Sequence, residues 1–190
     1  MLKRRHVLSA GALILAGSAL KSNAKAQQNT APPARPAGVP EGQAGEFDWL
    51  AGEWRIANRM ISGGQWIEFP GEATVRRILA GAGSVEDLRI PARNFSGMGL
   101  RILDVQNKVW NDHWVNGQSG VVTVPGIAGG FTDGVGNFDL DDVENGQPVR
   151  YYSTWDEVTP TSCRWRAGVS RDGGRTRDDT WIMHWTRVSA

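Results

Sequence analysis

The sequence predicts an all-β protein, a single antiparallel barrel of about eight to ten strands behind one short helical turn. Three observations predict it. Turn signals recur along the whole domain, among them Gly63-Gly64, Gly81-Ala82-Gly83, Gly97, Asn116-Gly117, Gly129-Gly130, Asn145-Gly146 and Asp172-Gly173-Gly174. The stretches between them are short and rich in Val, Ile, Trp, Tyr and Thr. Within those stretches bulky apolar side chains alternate with polar ones at a period of two, which belongs to a strand with one face buried.

The first 26 residues are read as an export signal. Lys3-Arg4-Arg5 is a basic start, Val7 to Leu20 a mostly apolar run, and Ala24-Lys25-Ala26 a small-x-small cleavage site. The apolar run is 14 residues long, short of the roughly 20 that a spanning helix needs. Arg4-Arg5-His6-Val7-Leu8 fits the twin-arginine pattern, so the expectation is a protein exported folded to the periplasm and not held in the membrane after cleavage. Removing the signal leaves 16 basic against 20 acidic residues, a net charge of −4 in place of +1. With no basic patch interleaved with aromatics, nucleic acid is not expected as a partner. Residues 27–45 carry Pro32, Pro33, Pro36 and Pro40 among small and polar residues and read as a disordered leader. Residues 46–190 are then one domain, large enough for a substantial core.

The elements of that domain follow in order. Phe47-Asp48-Trp49-Leu50 reads as one helical turn. The first strand places Trp54, Ile56, Asn58 and Met60 on one face and Arg55 and Arg59 on the other. A later strand aligns Trp110, Asp112 and Trp114, another Tyr151, Ser153 and Trp155. The last two align Trp165, Ala167 and Val169, then Trp181, Met183, Trp185 and Arg187. Each tryptophan can bury roughly 150–250 Å², so the aromatic faces are expected inside. The candidate lining of an interior cavity is accordingly Asn58, Trp66, Trp110, Trp114, Tyr151, Trp155, Trp165, Trp181 and Trp185.

Gly52-Glu53-Trp54, at the start of the first strand after the helical turn, resembles the Gly-x-Trp motif of lipocalins. The domain as a whole resembles a bacterial lipocalin-like (calycin-type) family of unassigned function. The residues that carry this are Phe47 through Trp54, Trp110 with Trp114-Val115, Thr159-Pro160 with Arg164-Trp165, and Ser170-Arg171-Asp172-Gly173-Gly174. The resemblance implies Trp54 across the closed end of the barrel under Arg187, and an apolar class of ligand. Arg177 stands where that pattern carries an aromatic residue after Thr176. A fold does not fix a reaction, and the resemblance implies none.

Among residues able to carry chemistry, Asp112 stands out. Parity puts it between Trp110 and Trp114 on the inner face, where a carboxylate is costly unless paired. It is either a general acid or base with a raised pKa or one half of an internal ion pair. His113 and His184 fall on the outer face by the same parity, and they join Asp112 as catalytic candidates only if the chain is an enzyme. No His-x-x-x-His pair, hydrolase elbow or phosphate loop appears, and no metal or cofactor is expected. Asp139, Asp141, Asp142 and Glu144 read as a solvated hairpin tip, and Cys163 as a small packed residue. Two functions stay open: a binding protein for a small apolar or aromatic molecule, and a cofactor-independent isomerase, cyclase, lyase or hydratase using Asp112.

Overall fold

The computed structural model describes residues 34–188. The export signal and the start of the leader lie outside the described residues. A 3-10 turn at Asp48–Leu50 leads into ten strands: β1 Gly52–Ser62, β2 Gln65–Ile78, β3 Gly83–Ile90, β4 Phe95–Asp104, β5 Val109–Asn116, β6 Ile127–Thr132, β7 Val135–Glu144, β8 Gln147–Asp156, β9 Ser162–Ser170 and β10 Asp178–Arg187. Every strand pairs antiparallel with its neighbours in sequence, and β1 pairs with β10 to close the barrel. Closure leaves no free edge, which is how an up-and-down sheet of this length avoids pairing with other chains.

Alternation decides the inner face on most strands. Trp54, Ile56 and Asn58 of β1 point in and are buried, while Glu53, Arg55 and Arg59 are exposed. On β10, Met183 and Trp185 are buried between exposed His184 and Thr186. A register shift between Asp179 and Trp181 marks a bulge at the start of β10, and Trp181 still turns into the barrel. Just before this bulge Arg177 stands 4.7 Å from the Tyr152 ring, on the outside of the wall, and donates to Asp139 at 2.8 Å.

β4 inverts the expected rule. Its apolar Met98, Leu100 and Ile102 lie outward and half-buried, whereas Gly97, Gly99, Arg101 and Leu103 are buried inside. Gly97 and Gly129 were expected in turns and instead lie within β4 and β6. A Cβ at Gly97 would overlap the Trp114 indole, and one at Gly129 the Phe138 ring. Glycine serves there as clearance for an aromatic ring that packs across the strand. Gly63-Gly64 and Asn145-Gly146 do turn hairpins, all four at positive φ.

The described part of the Pro-rich leader is tied to the barrel rather than free of it. The Gly42 amide donates to the Lys108 carbonyl at 2.8 Å and the Gly45 amide to the Gly81 carbonyl at 2.9 Å. Gly42 is buried against Trp110 and Leu103. The leader and the 3-10 turn together plug one end of the barrel, where Phe47 and Leu50 pack with Trp54, Trp110 and Phe138.

Candidate functional site

Trp54 is 1% exposed, its indole N–H donates to the Leu50 carbonyl at 2.8 Å, and the Arg187 guanidinium sits 4.2 Å from its ring. Arg187 also donates to the carbonyls of Ala51, Trp49 and Pro160 at 2.6, 2.5 and 2.9 Å. One side chain thereby ties the 3-10 turn and the β8–β9 connection to the last strand. Trp110 belongs to this closed end as well. It is fully buried, meets Phe47 edge-on with ring centroids 5.0 Å apart, and donates to Glu46 at 2.8 Å. It was expected among the ligand-lining residues and is core.

Above the plug the barrel holds a cavity of about 360 Å³. Trp114, Trp155, Trp165, Trp181, Trp185 and Tyr151 contribute to its lining, all of them named from the sequence. Phe95 stacks on Trp114 with ring centroids 6.2 Å apart, and Trp165 meets Trp181 edge-on at 5.7 Å. Asn58 stands behind this wall: its Oδ1 accepts from the Trp181 indole at 3.0 Å, which fixes the angle of that ring. Trp66 is a correction. It is 38% exposed on the outside of the barrel, stacked under Arg59 at 4.6 Å, because its register opposite Ile61 puts it on the face of Arg59 and Glu68.

The polar floor of the cavity comes from three neighbouring strands. Asp112 on β5 lies opposite Arg101 on β4, and Glu86 on β3 lies opposite Gly99. Arg101 donates through Nη2 to Glu86 at 2.6 Å, and its Nε is 3.8 Å from Asp112. The Arg101 and Glu86 side chains are 5% and 4% exposed, whereas Asp112 keeps 19%. Gly99 makes this possible, since a Cβ there would lie 3.0 Å from Arg101 Nη2 and 3.2 Å from Glu86 Oε2. The guanidinium lies 5.3 Å from the Phe47 ring and 5.1 Å from the Trp155 ring, so it also bridges plug and cavity.

Burial pushes the Asp112 carboxyl up to about 6, helped by Glu86 and opposed by Arg101 and His113. For Arg101 desolvation is the largest influence and opposes the charge, but Glu86 and Asp112 outweigh it and hold the group charged. Burial likewise pushes the Cys163 thiol to about 12, which leaves it a packed, unreactive residue.

Beyond Asp112 the wall changes character. β5 and β6 pair only from Trp110 to Asp112, and the far end of β5 is covered by the connection to β6 through Val115–Val122 and the Thr123 amide on the Trp114 carbonyl. Asp112 therefore stands at the last rung of that ladder, beside Thr123 in the cavity lining. His113 turns outward and packs its Nδ1 against the Thr123 carbonyl at 2.9 Å, and His184 is exposed on β10. Neither histidine lines the cavity, so the structure does not gather the two with Asp112 as a catalytic set.

Sequence reasoning missed Arg101 and Glu86. Alternation on β4 favours Met98, Leu100 and Ile102 as the inner set, which turns Arg101 outward. The signal that points the other way is Gly97-x-Gly99-x-Arg101: two glycines on one face beside a strand bearing tryptophans. No family model matches the chain, and no curated protein matches it.

Proposed function

We propose that this chain binds a small, largely apolar or aromatic molecule inside the barrel. The observation that carries this is the cavity of about 360 Å³, lined by the indoles of Trp114, Trp155, Trp165, Trp181 and Trp185 with one partly open carboxylate among its polar groups. Its size lies near the lower end of small-molecule sites, which run to roughly 300–1,000 Å³ and pair an apolar lining with a few placed polar groups. Trp54 under Arg187 supports kinship with lipocalin-like barrels, and the twin-arginine reading of residues 1–26 supports a place in the periplasm.

The neutral probe N-phenyl-1-naphthylamine should bind saturably and gain fluorescence, and Ala167→Phe should abolish that uptake. Ala167 lines the cavity on β9, so a phenyl ring there fills the space without touching the plug. Uptake that survives Ala167→Phe, or none by the native protein, overturns the reading. Lysines in place of Arg4 and Arg5 should leave precursor in the cytoplasm, and normal periplasmic accumulation refutes the export proposal.

A second reading is favoured by Asp112, whose pKa near 6 at a cavity wall suits a general acid or base working at neutral pH. An enzyme of this kind acts through Asp112 without either histidine. A molecule recovered with the native protein should then be converted by it, and Asp112→Asn should slow the conversion about 10²–10⁴-fold. Recovery of an unaltered molecule after prolonged incubation eliminates this second reading.

A further inference from the structure

An apolar pocket leaves one feature of this cavity unused, namely its charge. The charged residues of its lining are Glu86, Arg101 and Asp112. Arg101 and Glu86 form a short ion pair at 2.6 Å, which neutralises both. Asp112 is the remaining charge, 3.8 Å from the Arg101 Nε and outside hydrogen-bond range of it. The other titratable groups of its strand and of the cavity lining are His113, turned outward, and the phenols of Tyr151 and Tyr152, the latter donating to Asp179. None of them supplies a fixed positive charge inside.

An anion is disfavoured here despite the arginine. Arg101 Nε and Nη1 lack acceptors, but they have no open surface, so a ligand in the cavity meets the carboxylate first. The indoles of Trp114, two residues along the same strand, and of Trp165 and Trp181 line the same cavity as that carboxylate. An indole face carries the negative side of the ring quadrupole and attracts cations, most strongly where water is displaced. The fold already uses this attraction in the same chamber, where the Arg101 guanidinium lies 5.1 Å from the Trp155 ring. A neutral ligand that displaced water would strand the Asp112 charge without a partner. A cation would pair with it and face the indoles at once.

We propose that the cavity selects a small organic cation, a quaternary or protonated amine with an apolar or aromatic body, with Asp112 as counter-ion and the indoles as cage. The proposal rests on the cavity being a ligand site. It is tested by following tryptophan fluorescence during titration with phenyltrimethylammonium and with its neutral isostere tert-butylbenzene. At roughly pH 8 the cation should bind about tenfold or more tightly than the isostere. That preference should shrink as the pH falls below about 6 and Asp112 takes up a proton. In Asp112→Asn it should vanish while tert-butylbenzene binding persists, which also reports that the variant is folded. Equal or tighter binding of the isostere, or a preference that survives Asp112→Asn, overturns the proposal and leaves the apolar-cavity reading standing. If neither titrant binds, the cation proposal falls, and uptake of N-phenyl-1-naphthylamine then decides whether the cavity reading falls with it.

Discussion

The two halves of the barrel interior are built from the same residue type and differ in how its polar atoms are treated. At the closed end the indole N–H groups of Trp54 and Trp110 both find acceptors, and Arg187 spends its donors on three carbonyls. In the cavity half the Trp181 indole N–H finds Asn58, but among the described residues those of Trp155 and Trp185 reach no acceptor, nor do Asn58 Nδ2 and two nitrogens of Arg101. The Trp54 and Trp110 rings are sealed, whereas Trp114, Trp165 and Trp181 are only half-buried around open space. A tryptophan whose N–H is satisfied and whose faces are covered holds the fold together. One left half-covered beside an underpaired carboxylate is available to something else.

Truncating the plug should have the largest effect. Trp54→Ala removes a buried indole from a packed end and should cost about 3–5 kcal/mol in denaturant unfolding. A loss below about 1 kcal/mol would show that the closed end is not the better packed half.

Asp112→Asn should act in the opposite direction, and its effect depends on pH. The folded protein holds this carboxyl at about 6, above the 3.8 of a free one, so ionising it costs stability. The protonated group's contribution is fully present below pH 3.8 and is lost as the pH rises through about 6. At about 1.36 kcal/mol per pKa unit, the asparagine variant should be more stable than the native protein by up to about 3 kcal/mol above that pH, and little changed near pH 4. Equal stability of the two proteins at roughly pH 8 would mean that Asp112 is well paired and that the contrast between the halves is overdrawn.

Arg187→Ala gives the smallest of the three. It removes a cation–π contact and the donors to three carbonyls near the surface, and should lower stability by about 1–3 kcal/mol without altering probe uptake. Lost uptake at unchanged stability would mean that the plug shapes the cavity directly.

The sequence alone determined the class of the protein. Period-two alternation on β1, β5, β8, β9 and β10, with turn residues between, is a local property, and it placed Trp54, Asp112, Trp114 and Trp181 on the inner face. The outward parity of His113 and His184 was legible for the same reason. Tertiary structure decided the rest. Whether a glycine turns the chain or clears a ring depends on the neighbouring strand, so Gly97 and Gly129 could not be read alone. Trp110 and Trp114 share a face, and only the depth of the plug made one core and the other cavity wall. The inward turn of Arg101 was hidden because Met98, Leu100 and Ile102 make the more apolar face of β4. Arg101 can stay inside because Glu86 from one neighbouring strand pairs with it, Asp112 from the other lies beside it, and Gly99 leaves room. That compensation joins three strands, and no single strand records it.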